Sequence, residues 1–148
     1  MSDTIFLLNG PNLNLLGKRE PEIYGYETLT DIENTCRKHG LKLGFNVECR
    51  QSNYEGDLVT WIQEARETAA AIILNAGAYT HTSVAIHDAL RAFAGYKVEL
   101  HISNPHTREK FRHTSYVGPA SDAVIAGFGT VGYVMALDAV AAKVKSST

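Results

Sequence analysis

The chain has 148 residues, of which 45% are hydrophobic and 20% charged, and its formal net charge is −2. These values fit one globular domain spanning residues 1–148, long enough to bury a core, and exclude a disordered chain. They give no bulk attraction to nucleic acid or an anionic membrane, so an anionic ligand has to be held by local arginines and backbone donors.

Thr4 to Leu8 is an apolar run cut short by Asn9-Gly10-Pro11, which predicts a buried strand ending at a turn. Asp3 lies where a signal peptide would carry basic residues, and no apolar run reaches the ~20 residues of a membrane span. A cytoplasmic location with no membrane partner is therefore expected. Asn9 to Tyr26 follows as a long polar loop, and a loop of that length in a compact domain is usually functional. Thr28 to His39 predicts a helix with Leu29, Ile32 and Cys36 on one face, a capping box at Thr30 and Glu33, and a stop at Gly40. Phe45 to Arg50 predicts a strand, and Leu58 to Ala69 a helix with Leu58, Ile62 and Ala65 inward. Cys36 and Cys49 fit neither zinc-ligand spacing nor a CxxC pair and read as reduced thiols.

Ala70 to Leu74 is a fully apolar strand ending at Asn75, and Thr82 to Phe93 is a third helix. Lys97 to Ile102 is a strand ended by Ser103-Asn104-Pro105. After an irregular stretch come a strand at Asp122 to Ala126 and a helix at Gly129 to Lys145. Alternating strands and helices imply a parallel sheet, and right-handed crossovers leave a flavodoxin-like, doubly wound, five-stranded α/β sheet with helices on both faces.

Ligands of such sheets bind beyond the carboxyl ends of the strands. The polar residues expected there are Asn9, Asn12, Asn75, His81, Glu99, His101 and Ser103, with Arg19 and Tyr24 from the long loop and Arg108 and Arg112 from the segment after the fourth strand. Taken singly, the asparagines serve as well in turns, His81 as a neighbour of a helix cap, Tyr24 as a packing residue and the arginines as surface groups. Glu99 and His101 differ: two positions apart on one strand they share a face, and a central parallel strand is normally apolar on both faces.

Gly127-Phe128-Gly129-Thr130-Val131-Gly132 matches the dinucleotide fingerprint G-x-G-x-x-G, but no later strand completes a βαβ unit. These glycines read instead as allowing close strand-to-helix packing. No Walker loop, metal-ligand spacing or nucleophile elbow appears, so no metal is expected.

Several runs together resemble the type II 3-dehydroquinate dehydratases: Leu7 to Gly17 (LLNGPNLNLLG), Arg19-Glu20-Pro21, Ile23-Tyr24-Gly25, Gln51-Ser52-Asn53, Asn75 to Ser83 (NAGAYTHTS), Glu99 to Asn104 (ELHISN), Arg108-Glu109, Phe111-Arg112 and Gly127 to Gly132. They follow family order across nearly the whole chain. The resemblance implies a lyase that converts 3-dehydroquinate to 3-dehydroshikimate and water, by anti elimination through an enolate, in aromatic biosynthesis or quinate breakdown, a reaction that needs no cofactor. It implies Tyr24 as base, Arg19 as its partner with Arg108 second, and Asn12 holding a water for the enolate oxygen. His101 becomes the general acid, oriented and charged by Glu99. Asn75, His81 and Arg112 are implied as binders of the ring hydroxyls, and Ile102 and Ser103 of the carboxylate. The resemblance also implies a homododecamer, a tetramer of trimers, in which Asp88 reaches a neighbouring subunit's site. Arg19, Tyr24 and Arg108 are implied to belong to a lid. The unrelated type I enzymes use a Schiff-base lysine in a barrel of ~250 residues, too large for this chain. The alternative is a flavodoxin-like module holding FMN or a nucleotide at the same sheet edge, which leaves Glu99, His101 and Tyr24 without a task.

Overall fold

Aliphatic residues bounded by turn formers become strands where expected: β1 is Thr4–Asn9, β2 Asn46–Gln51, β3 Ala71–Asn75, β4 Tyr96–His101 and β5 Ala123–Ala126. The computed structural model describes residues 3–18 and 20–146, excluding the side chains of residues 23, 24, 145 and 146. Within it the five strands form one parallel sheet in the order β2-β1-β3-β4-β5. This is the flavodoxin-like order, in which the direction of winding reverses between β1 and β3.

The helices are α1 (Pro21–Tyr24), α2 (Leu29–Leu43), α3 (Glu55–Thr68), α4 (Val84–Arg91) and α5 (Val131–Ser146). Side chains alternate across the strands, so Ile5, Leu7, Ile73, Val98 and Leu100 pack with α2 and α5. Phe6, Leu8, Ile72 and Leu74 pack on the other face with α3 and α4. Each fully buried aliphatic side chain contributes roughly 1.5–3 kcal/mol. The sheet is therefore covered on both faces, as the unbroken apolar run of β3 requires. Leu29, Ile32 and Cys36 of α2 are buried, as are Leu58, Ile62 and Ala65 of α3. Cys36 and Cys49 are free thiols, and burial pushes both up to about 12.

Two details of α2 depart from expectation. Its capping box is Thr28 with Asp31, not Thr30 with Glu33: Asp31 N–H donates to Thr28 Oγ1, and Thr28 N–H donates to Asp31 Oδ2. The helix also runs through Gly40 and stops at Gly44, whose φ of 89° is the left-handed conformation that ends helices. Gly40 is buried because a Cβ there would lie 2.3 Å from Val47 Cγ2, so its hydrogen lets α2 settle onto β2. The expected loop from Asn9 to Tyr26 is not wholly irregular, since it contains a 3₁₀ turn at Leu13–Leu15 and the short α1, opened by Pro21.

Of the three glycines after β5, Gly132 has the expected packing role, whereas a Cβ on Gly129 would meet nothing within 4 Å. A Cβ on Gly132 would stand 3.1 Å from Leu100 Cδ1, so the glycine brings α5 close onto β4. Among the described residues, no helix is long and apolar enough to cross a membrane.

Candidate active site

Parallel pairing brings the carboxyl ends of β1, β3 and β4 to one edge of the sheet, with Asn9 in register with Asn75. A buried hydrogen-bond chain ties these ends together. Tyr133 of α5 donates its hydroxyl proton to Asn9 Oδ1 at 2.6 Å and accepts from Asn75 Nδ2 at 3.1 Å. Asn75 Oδ1 in turn accepts from Gly77 N–H at 3.2 Å. The Asn75 amide is thereby fixed in one orientation. Burial pushes the Tyr133 hydroxyl well above the ordinary tyrosine value, so it stays a protonated donor.

Above this edge lies a pocket lined by Pro11, Asn12, Leu13, Leu15, Leu16, Asn75, Gly77, Ala78, His81, His101, Ile102, Ser103, Pro105, Arg108 and Arg112. The leucines make one wall apolar. The other walls carry amides, imidazoles, a hydroxyl and two guanidinium groups, which suits a small polar anion with an apolar ring edge.

His101 and Glu99 project from the same face of β4, and both are buried, at 8% and 4% exposed. His101 Nε2 lies 2.5 Å from Glu99 Oε2. With Nε2 occupied, Nδ1 is the nitrogen left for a ligand. Ser115 Oγ also donates to Glu99 Oε2, at 3.0 Å. His81 is stacked at 6.3 Å from His101, ring centroid to centroid. Its Nδ1 lies 2.7 Å from the Thr114 carbonyl, which can only accept, so Nδ1 carries the proton and Nε2 is the acceptor in the neutral ring. Burial holds the His81 imidazole below its usual value, while the Thr114 carbonyl opposes that shift.

Asn12 has a φ of 71°, a left-handed conformation that asparagine tolerates better than most residues. Its N–H donates to Asn53 Oδ1 at 3.0 Å. Gln51 Nε2 donates to the same Asn53 oxygen and to the Gly10 carbonyl, so the turn after β1 is pinned from β2. Arg108 Nη1 donates to Ser103 Oγ at 3.3 Å, and Arg112 Nε donates to Glu109 Oε1 at 2.8 Å. The Arg112 guanidinium holds the Glu109 carboxyl below the usual carboxylate range.

The structure thus gathers Asn12, Asn75, His81, His101, Ile102, Ser103, Arg108 and Arg112 around one pocket, with Glu99 directly behind His101. Asp88 is not among them: it lies exposed on α4, outside the pocket lining. Arg19 lies outside the described residues. Tyr24 ends α1, and its side chain lies outside them too. Sequence reasoning passed over Thr114, Ser115 and Tyr133. A polar residue in an irregular stretch, or a tyrosine in a helix, carries no sign of its distant partner. Among the described residues, no group of three or more His, Cys, Asp or Glu side chains could hold a metal ion.

The family model of class II dehydroquinases matches residues 3–141. A protein of Agrobacterium fabrum (strain C58), 3-dehydroquinate dehydratase 1, is 61% identical over 139 residues, which cover 94% of this chain and 96% of that one. The crystal structure of type II dehydroquinase from Propionibacterium acnes superimposes with a TM-score of 0.91 at 42% identity, covering 96% of this chain and 98% of that one. The type II dehydroquinase from Butyrivibrio crossotus gives a TM-score of 0.90 at 44% identity, covering 94% and 97%.

Proposed function

The chain belongs to the class II dehydroquinase family, and from that premise we propose that it dehydrates 3-dehydroquinate to 3-dehydroshikimate by anti elimination through an enolate. Tyr24 takes the proton α to the ketone, and His101 protonates the leaving hydroxyl. Family membership takes away the ground for the FMN- or nucleotide-binding alternative.

The observation that carries the acid half is the buried His101–Glu99 pair at the pocket wall. Glu99 orients the ring, so that the Nδ1 proton can leave with the departing oxygen. His81, accepting at Nε2, and Asn75, whose amide orientation is fixed, suit ring hydroxyls, with Arg112 alongside. The backbone N–H groups of Ile102 and Ser103, with Ser103 Oγ, are assigned the carboxylate. Asn12 is assigned the water that faces the enolate oxygen, where charge develops.

The base half rests on the resemblance. A tyrosine at pKa ~10 costs ~4 kcal/mol to ionise near neutrality, at ~1.36 kcal/mol per unit. One guanidinium at ~4 Å supplies ~4 kcal/mol at an effective dielectric of ~20. Arg19 is the assigned partner and Arg108 the second candidate, on a lid that excludes water when closed.

A homododecamer built as a tetramer of trimers remains part of the proposal. Val124, Phe128 and Val131 are exposed on edge strand β5 and just beyond it, an apolar surface that an assembly would cover. Asp88, exposed on α4, is the residue assigned to a neighbour's site.

The reaction is tested by ultraviolet absorbance of the purified protein with 3-dehydroquinate, with and without chelator and after borohydride treatment in the presence of substrate. Growth of enone absorbance unaffected by either treatment is expected. No absorbance change from folded protein would overturn the proposed reaction.

A further inference from the structure

Ser115 lies in the irregular segment between β4 and β5, and its hydroxyl is fully committed. The N–H groups of Val117 and Gly118 donate to its Oγ at 3.1 and 2.9 Å. A serine hydroxyl has two acceptor sites and one proton. With both acceptor sites filled, the proton is left for Glu99 Oε2 at 3.0 Å, the oxygen that also takes His101 Nε2. Gly118 lies close against the carboxylate's other oxygen, near enough that an added Cβ would stand 2.7 Å from Glu99 Oε1.

The same short segment holds the second imidazole. The Thr114 carbonyl accepts from His81 Nδ1, and Tyr116 N–H donates to the Thr80 carbonyl at 2.8 Å. Three consecutive residues therefore register β4 against the turn that carries His81.

We propose that Ser115 is a positioning residue for the elimination step: it locks the Glu99 carboxylate in one rotamer, and through it sets the His101 ring so that Nδ1 faces the leaving hydroxyl. Ser115 touches neither substrate nor reacting atoms. Its effect falls on loss of the hydroxyl and not on the earlier proton abstraction. This rests on His101 being the acid, as proposed above.

The experiment follows two readouts with 3-dehydroquinate: dehydration by enone absorbance, and exchange of the substrate's α-proton with solvent by NMR. Wild-type protein that does not dehydrate this substrate would sink the functional reading itself, independently of Ser115. With active wild type, Ser115→Ala is expected to slow dehydration about 10–100-fold, the change that corresponds to one lost hydrogen bond to a charged group. KM and α-proton exchange should hold near wild-type values. Ser115→Thr, which keeps the hydroxyl, should recover most of the dehydration. Gly118→Ala, which pushes on Glu99 from the other side, should reproduce the selective loss, and it decides the matter on the same criterion if Ser115→Ala does not fold. Dehydration and exchange falling in step, or a folded Ser115→Ala with wild-type turnover, would overturn the proposal.

Discussion

Glu99 and His101 sit on a strand paired on both sides, Glu99 with Leu74 in β3 and with Val124 in β5. The side chains around them are tied to residues far along the chain, Glu99 to Ser115 and His81 to Thr114. On the opposite wall, the backbone hydrogen bonds described for Leu13, Leu15, Leu16, Lys18 and Gly25 run three or four residues along the chain. That stretch also turns through positive φ at Gly17, Glu20 and Gly25. The contrast fits the roles proposed for the two halves. A proton donor has to meet a leaving group at a fixed point, so it is built on the most constrained part of the fold. The lid proposed for this segment would have to open, and short-range backbone bonds suit that task better than a strand ladder does.

The largest expected effect falls on the loop side. Tyr24→Phe should abolish nearly all turnover while leaving substrate affinity in place, measured by steady-state kinetics and by equilibrium binding of substrate. Retained turnover would remove Tyr24 as base and leave the loop as a cover only.

On the strand side, Tyr133→Phe should leave Asn9 Oδ1 and Asn75 Nδ2 without their buried partner, at a cost of ~1–3 kcal/mol. Urea denaturation should show a lower midpoint with an unchanged m-value. KM should rise more than kcat falls, because Asn75 loses its fixed orientation. An unchanged midpoint and KM would mean that the strand ends are not held by this chain of bonds.

The smallest effect concerns His81. Burial holds its folded pKa below the ordinary ~6.5. The unfolded chain therefore binds this proton more readily than the folded one. The group's share of stability is intact above pH ~6.5 and fades as pH falls from there toward the folded pKa. An NMR titration should place the His81 midpoint below ~6.5, with the neutral ring protonated on Nδ1. A higher midpoint, or the other tautomer, would loosen the link between His81 and Thr114.

The same division governs how much could be read in advance. A charged pair two apart, sharing one face of a central parallel strand, is an anomaly visible in six residues, and it singles out Glu99 and His101. The doubly wound parallel sheet followed from the alternation of β and α segments and the handedness of their crossovers. Hydrophobic pattern alone could not tell that α2 passes Gly40, because a glycine that ends a helix and one that lets a strand approach look alike in sequence. Thr28 was passed over as the cap because Asp31, not Glu or Gln, closes its box. Position in the long loop brought Tyr24 and Arg19 among the candidates, but only the family resemblance gave them roles, since a loop gives no periodicity that aims a side chain. Ser115 and Tyr133 act through partners 16 and 58 residues away, a separation that only the folded chain closes.

The central claim is that His101 serves the elimination and not the proton abstraction. His101→Ala with 3-dehydroquinate in deuterated solvent tests it, with α-proton exchange followed by NMR and dehydration by enone absorbance in the same sample. Exchange that persists while dehydration collapses is the predicted result. Equal loss of both would contradict a separate acid at the end of β4.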